Sequence, residues 1–444
     1  MSKTFPMGGI HPPDTKISAA AAITPLAIPA EVVIPLGQHI GAPAEPIVKA
    51  GDKVKAGQLI AETAGFISAN IHSSVSGTVK KIDDVADPCG YPKKAVYITV
   101  EGDEWAEGID RSPTLKKEIT LDRDAIVEKI KAGGIVGMGG ASFPTNVKYM
   151  IPEGKTADTL VINGVECEPY LTADHRLMLE HADEMLVGVE ILRIALGVEK
   201  AVIGIEENKP DAIKLLTERS AEYPGITVES LHMQYPQGAE KQLIKACTGR
   251  EVPSGKLPIE VGCAVNNVGT AYAVYQMVQK NQPLVERVVT VTGKQVSNPS
   301  NFLVRVGTSY AACIEAAGGL PEDTGKVISG GPMMGMAIAD LSIPVAKGTS
   351  GILMLPKAES VRPEVENCIR CGACVSVCPM GLEPYLLEKF ARADKWDQAE
   401  QRASMDCMEC GCCSYICPSG RPLLDYIRIA KGEINNRRRA RASQ

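Results

Sequence analysis

A chain of 444 residues that is 45% apolar and 23% charged has a globular make-up, and its length allows roughly three domains of about 150 residues. Its 42 glycines and 30 prolines fall well short of the roughly 25–30% share that marks wholesale disorder. With 47 basic against 53 acidic residues the formal charge is −6, which excludes nucleic acid as the main partner because that role demands a basic surface. No apolar run approaches the roughly 20 residues that cross a bilayer; the best, 19 to 30, is short and broken by Pro25 and Pro29. The first thirteen residues lack the charged start and apolar core of a secretory signal, so the expected location is the cytoplasm. Fourteen cysteines lie far below the roughly 8–10% of a disulfide scaffold.

Taken in chain order, residues 1 to 110 carry short alternating apolar runs set between glycines, as in Val48 to Ile60 and Val75 to Val79. These predict short strands joined by tight turns. The pattern resembles the half-barrels of lipoyl and biotinyl carrier domains. The stretch 64 to 70, where a carrier presents its modified lysine, contains no lysine, so a structural barrel-sandwich module is expected.

From about 121 the period lengthens: Leu121, Ile126, Val127 and Ile130 suit an amphipathic helix running into the glycine-rich segment 133 to 140. Strands are predicted at 159–163, 201–206 and 226–231, with helices at 171–197, 209–221 and 267–279, a βαβ rhythm that implies a parallel sheet. Residues 285 to 356 read as a small α+β module, with a strand at 287–292, a turn at 297–300 and a helix at 309–317. After a linker at 357–366 the chain turns helical, with one long helix expected over 384–402. Arg437, Arg438, Arg439 and Arg441 form a basic tail suited to solvent, anionic lipid or an acidic partner.

Eight cysteines stand in two identically spaced runs, Cys368, Cys371, Cys374, Cys378 and Cys407, Cys410, Cys413, Cys417, each ending in Cys-Pro. This is the bacterial ferredoxin spacing twice over, the pattern of two 4Fe–4S clusters. In that pattern the fourth cysteine of each run serves the other cluster, which assigns Cys417 to the first set and Cys378 to the second. Zinc is the competing reading, but zinc ribbons pair two Cys-x2-Cys knuckles across a longer loop. Cys412 fits no ligand position and reads as a spare thiol, while Cys89, Cys167, Cys247, Cys263 and Cys313 read as small buried apolar residues.

The glycine cluster at 133–140 is preceded by a helix, whereas a dinucleotide fingerprint follows a strand, so this is not a Rossmann motif. Its bare amides suit phosphate or a flavin ring, with Lys148 nearby for charge. Gly137-Met-Gly-Gly-Ala-Ser-Phe143-Pro-Thr-Asn-Val-Lys148 resembles the flavin loop of the NADH-oxidising subunit of respiratory complex I. Asn163-Gly-Val-Glu166-Cys-Glu168-Pro169, Tyr235-Pro-Gln-Gly238-Ala-Glu240 and Asn266-Asn267-Val268 resemble that family's later flavin segments, in the same order. The resemblance implies that Gly137, Gly139, Gly140, Lys148, Asn163, Glu166, Gly238, Asn266 and Asn267 hold FMN, and that Phe143, Glu168 and Glu240 face the nicotinamide of NADH. Val165 and Ala239 depart from the family pattern.

The order of parts resembles the C subunit of the Rnf electron-transport family across nearly the whole chain, and the opening Gly8-Gly-Ile-His11-Pro12-Pro13 is similar to that family too. The implied architecture is multidomain α/β. It comprises a barrel-sandwich module (1–115), a parallel-sheet α/β flavin domain (116–282), a β-grasp module (283–356), an α-helical ferredoxin domain (357–436) and the basic tail (437–444). The implied activity is hydride transfer from NADH to FMN, then single electrons through two 4Fe–4S clusters, because a flavin converts between two-electron and one-electron chemistry. The implied partners are the other subunits of a membrane complex, with ferredoxin reached indirectly and ion translocation coupled to the flow. The implied place is peripheral, on the cytoplasmic face of the cell inner membrane. Flavin-dependent cobalamin reductases use the same parts with the flavin segment first, and a flavin-free conduit would keep only the cysteines.

Overall fold

The computed structural model describes residues 2–442. Near the N-terminus a four-stranded sheet orders Glu31–Pro35, Pro92–Val100, Gly77–Ala86 and Lys53–Val54, and faces a three-stranded sheet of Glu45–Pro46, Leu59–Glu62 and Ile71–His72. Alternate residues point inward, as the period-2 pattern dictates, so Val32, Ile34, Ile60, Ile71, Val79 and Ile98 share one small core. A Cβ at Gly77 would lie 2.0 Å from the Thr99 carbonyl oxygen, so glycine is what lets these strands close.

The central sheet is wholly parallel, in the order Ile226–Leu231, Lys200–Glu206, Thr159–Asn163 and Cys263–Asn267. Its strands are apolar on both faces because helices cover both. Leu160 and Ile162 pack against Ala182–Leu196 on one side, while Val161 and Val265 meet Glu240–Thr248 on the other. Helices Ala182–Leu196 and Val268–Lys280 approach closely at Gly188, where a Cβ would sit 1.9 Å from the Ala271 carbonyl oxygen.

The helix expected over 171–197 is two, Ala173–Glu180 and Ala182–Leu196, broken at His181, whose backbone leaves the helical region. The break frees the first helix to aim its N-terminus at the sheet edge while the second stays packed beneath the sheet.

A mixed six-stranded sheet follows, ordered Ile23–Pro25, Ser300–Arg305, Glu286–Thr292, Gly351–Pro356, Thr324–Ser329 and Met336–Ile338. Its edge strand comes from the N-terminal region, with Ile23 opposite Asn301. The helix Tyr310–Ala316, capped by the Ser309 hydroxyl, covers its core.

The last region is helical, and the helix expected over 384–402 is also two, Pro384–Arg392 and Trp396–Gln401. Asp394 adopts a left-handed backbone, φ 54°, which aspartate tolerates better than most residues. The turn puts Trp396 and Ala399 on the same core as Ala430 and Ile434 of the final helix, Leu423–Ala442. Arg437, Arg438 and Arg441 belong to that helix and pair with Asp397, Glu400 and Glu433, so the basic run up to 442 is helical; residues 443 and 444 of the expected tail lie outside the described residues. Among the described residues no helix is long and apolar enough to cross a membrane.

The N-terminal segment stitches regions together. Lys3 bridges Leu231 and Ile10 bridges Tyr235 beside the central sheet, while the Gly9 N–H donates to the Val377 carbonyl in the helical region at 2.9 Å. A Cβ on Gly8 would fall 2.6 Å from the Cys378 backbone.

Candidate functional site

In open parallel sheets ligands sit beyond the carboxyl ends of the strands. Here those ends present Asn163, Asn266 and Asn267 side by side, since Asn267 is in register with Asn163 and Asn266 with Ile162. Asn163 is fixed by two bonds, donating from Nδ2 to the Gly238 carbonyl at 2.8 Å and accepting the Val165 N–H at 3.1 Å. Asn267 caps the helix Val268–Lys280 by accepting the Gly269 N–H at 2.7 Å, and its Nδ2 reaches Asp174 at 2.6 Å. Asn266 donates to the Tyr149 hydroxyl at 2.6 Å, yet its Oδ1 is buried with no partner among the described residues, an acceptor that a ligand N–H or O–H would satisfy.

Over this edge folds the glycine loop, closed by the Gly137 N–H donating to the Phe143 carbonyl at 2.9 Å. A Cβ on Gly139 would press on the Asn267 side chain at 3.0 Å, whereas Gly140 faces open space. Lys148 is half-buried, donates to the Val265 carbonyl at 2.7 Å, and lies 3.8 Å from where Gly137 would carry a Cβ. Burial pulls its ammonium below the usual range and the charge of Glu240 opposes that shift. The structure thus gathers Gly137, Gly139, Gly140, Lys148, Asn163, Gly238, Asn266 and Asn267 around one cradle, with Phe143 half-buried on the loop and Glu240 exposed on the first turn of its helix.

The other two carboxylates are already engaged. Glu166, held at φ 45°, accepts the N–H groups of Asp174 (2.8 Å) and His175 (3.2 Å), capping the helix Ala173–Glu180. Burial and the neighbouring Glu166 charge push Asp174 up to about 7. Glu168 accepts the N–H groups of Met333 at 3.0 Å and Met334 at 2.8 Å, which ties the flavin-type segment to the loop after the mixed sheet's strand Thr324–Ser329. Burial raises its carboxyl to about 6. Lys16 holds the backbone of the same turn, donating to the carbonyls of Glu166, Glu168 and Leu171. Asp174 and Lys16 join the site through contacts between distant segments, for which the sequence carries no spacing signal; Tyr235 opens a flavin-type segment, but nothing local in it foretells its reach to Cys410.

The cysteine runs adopt the same backbone twice. Arg370 and Glu409 have φ of 57° and 63°, Gly372 and Gly411 have 76° and 80°, and a one-turn helix follows each glycine, Ala373–Ser376 and Cys412–Tyr415. Cys378 crosses over to join Cys407, Cys410 and Cys413 around one cavity floored by Leu424 and Ile427. Cys374 lies by Cys371 and Cys417. Among the described residues no three His, Cys, Asp or Glu side chains are grouped closely enough to hold a single metal ion. Burial lifts the Cys407 thiol to about 11 and Cys413 to about 12, and a positively charged metal core is what offsets the cost of burying such thiolates. Cys412 is buried, its Sγ 3.9 Å from the Tyr235 carbonyl oxygen, whereas Cys89 is exposed, unlike the apolar interior position expected of it.

The two constellations touch. The Tyr235 hydroxyl donates to the Cys410 carbonyl at 2.9 Å, and Ile10, Tyr235, Cys410 and Cys412 form one apolar cluster with Cys167, Met333, Val377 and Met408.

Comparison with known proteins agrees with this geometry. Residues 130–276 match the family model of the Nuo51 FMN-binding domain and residues 364–421 that of the 4Fe-4S dicluster domain. Residues 3–104 match the RnfC barrel sandwich hybrid domain and residues 288–337 the SLBB domain. The chain is 48% identical to the C subunit of the proton-translocating ferredoxin:NAD(+) oxidoreductase complex of Clostridium ljungdahlii, over 98% of this chain and 94% of that one. It is 47% identical to the C subunit of the Na(+)-translocating ferredoxin:NAD(+) oxidoreductase complex of Acetobacterium woodii, over 97% of each. In fold it is similar to a chain of an NAD+-reducing [NiFe]-hydrogenase crystal structure, with a TM-score of 0.52 at 20% identity over 72% of this chain and 65% of that one. The cofactors of the chain are accordingly FMN and 4Fe–4S clusters.

Proposed function

The chain belongs to the C-subunit family of ion-translocating ferredoxin:NAD+ oxidoreductase complexes, and from that premise we propose that it oxidises NADH and delivers the electrons one at a time to its neighbours in the complex. The observation that supports this reading is the contact of the flavin-type cradle with a cysteine group through Tyr235 and Cys410, the arrangement that a relay from a hydride acceptor to a one-electron carrier needs.

When bound, FMN supplies the conversion of a hydride's electron pair into single electrons. The chain's part is to hold and insulate it. Asn163, Asn266 and Asn267 present polar groups at the sheet edge, Asn266 Oδ1 offers its unused acceptor, Gly137, Gly139 and Gly140 let backbone amides approach, and Lys148 brings positive charge for the phosphate. To Phe143, half-buried on the glycine loop, and Glu240, exposed on the first turn of its helix, falls the nicotinamide in this reading. Glu166 keeps the helix Ala173–Glu180 seated against the cradle, and Glu168 clamps the loop at Met333 and Met334 beside the cysteine group. Cys368, Cys371, Cys374 and Cys417 would hold one cluster and Cys407, Cys410, Cys413 and Cys378 the other. The remaining subunits of the membrane complex are the partners, ferredoxin is reached through them, and the chain sits peripherally on the cytoplasmic face of the inner membrane, coupled to ion movement.

Anaerobic purification with iron and flavin analysis tests the reading. It requires bound FMN, about eight iron atoms per chain for two 4Fe–4S clusters, and reduction of both chromophores by NADH in stopped-flow traces. A preparation with full cofactor content that NADH cannot reduce would refute it.

A further inference from the structure

The repeated cysteine backbone acts as an internal control, because equivalent positions of the two runs meet different surroundings. In the second run Met408 is partly buried, Cys410 is 7% exposed, and a Cβ on Gly411 would meet the Met333 carbonyl at 3.1 Å. At the matching positions of the first run, Ile369 is 68% exposed, Cys371 is exposed, and a Cβ on Gly372 would meet nothing within 4 Å. The residue before the fourth cysteine differs in the same sense: Val377 packs under Ile10 and its carbonyl is taken by Gly9, whereas Ile416, ahead of Cys417, is 37% exposed beside Tyr415 at 51%.

The second-run face is covered by the rest of this chain: by Tyr235 of a flavin-type segment, by Ile10 of the N-terminal segment and by Met333 of the mixed-sheet loop that Glu168 clamps. We propose that the cluster of Cys407, Cys410, Cys413 and Cys378 is the inner one, next to the flavin, and that the bare equivalent face around Cys371, formed by Ile369, Tyr415 and Ile416, is the electron exit. Its occupant is another member of the same complex that carries its own one-electron redox centre and covers this face as the rest of this chain covers the other.

Three arguments select that occupant. Of the eight paired-run cysteines Cys371 is the exposed one, so on this side a cluster would come within short reach of an external centre. The inner face shows that this backbone, when covered, is covered through apolar contacts by a body that includes a flavin-type segment, at Tyr235. The charges flanking the exit in sequence, Glu364, Glu366 and Arg370, are of both signs, so the surface offers apolar area and no single-sign field to a nucleic acid or an anionic lipid. The inference rests on the proposed NADH oxidation and adds the order of the clusters and the place of exit.

The test uses the intact membrane complex carrying Ile369→Glu or Tyr415→Glu, with Leu257→Glu, an equally exposed apolar residue of the flavin-bearing part, as control. Electron paramagnetic resonance reads NADH reduction of this chain's own clusters, and rapid mixing reads electron arrival at the redox centres of the other subunits. The exit variants should keep NADH-reduced clusters and lose arrival at least tenfold or lose the chain from the complex, while the control behaves as wild type. Arrival at the wild-type rate in both exit variants overturns the exit face. Wild-type clusters that NADH cannot reduce overturn the underlying reading instead. For the order, Cys371→Ser should leave the inner cluster reducible by NADH; loss of that reduction with the inner cluster's iron intact overturns it.

Discussion

Replacing Gly411 and, separately, Gly372 with alanine isolates the contact between the Met333 loop, which Glu168 ties to the flavin-type segment, and the cysteine region. Both glycines hold a left-handed backbone, φ 80° and 76°, so each substitution costs about 1–2 kcal/mol of local strain. Only at Gly411 does the new methyl also meet a backbone atom, the Met333 carbonyl oxygen, at 3.1 Å, while at Gly372 it enters open space. Backbone cannot rotate away as a side-chain tip can, and Met333 is itself pinned by its N–H bond to Glu168. Crowding of this kind costs about 1–3 kcal/mol. Since the strain is common to both variants, that difference acts on the seating of the two parts and shifts the seated-to-unseated ratio by a factor of roughly 5 to 150. The assay compares iron content, dithionite reduction and NADH reduction of the clusters. Both variants should hold iron alike and reduce with dithionite, while Gly411→Ala alone should show a slowed or incomplete NADH phase. Equal NADH kinetics in the two variants would refute the contact as the electron route.

Lys148→Glu sets a carboxylate where the cradle supplies its cation and should strip FMN on gel filtration; flavin retained at wild-type stoichiometry would remove Lys148 from the site. Cys378→Ala should lower the iron held by the second run, whereas Cys412→Ala, which removes a buried thiol outside the ligand pattern, should leave iron near wild type; iron analysis with paramagnetic resonance separates them. Glu168 has its carboxyl raised from 4.5 to about 6, so its contribution to stability is full below pH 4.5 and is lost as pH rises through 6, a swing of about 2 kcal/mol. Glu168→Gln should abolish that dependence: the thermal midpoint of wild type should fall relative to the variant between pH 5 and 7, and parallel curves would contradict the assignment. Glu240→Gln should slow reduction of bound flavin by NADH with flavin content unchanged, read by stopped flow.

Much of the site is written in local sequence, and what is missing has a common cause. The strands Thr159–Asn163 and Ile226–Leu231 were legible because each is a short β-branched run bounded by polar turns, and the cysteine groups because their ligands lie within a few residues of each other. The breaks at His181 and Asp394 were not, since apolar periodicity continues across both and only the packing of Trp396 or the aim of the helix Ala173–Glu180 decides them. Nor does any local pattern send Ile23–Pro25 to pair with Ser300–Arg305. The carboxylates illustrate the same limit at the site. Glu166 and Glu168 stand two apart in one motif, yet one caps a helix and the other clamps a loop 165 residues away, because the left-handed turn at Glu166 aims them apart.

The seam made by residues 8 to 10 bears on how the molecule is put together. Gly9 leaves the ribosome long before its hydrogen-bond partner Val377, so the segment waits unpaired while everything between them is synthesised. Loop closure over such a span is entropically costly and rewarded only once both surfaces exist. The seam therefore closes late, after the central sheet is built and as the cysteine region settles on it. Until then the Cys378 backbone lacks the close cover of Gly8, so the last turn of the first cysteine run takes its final seat only when the N-terminal strap does.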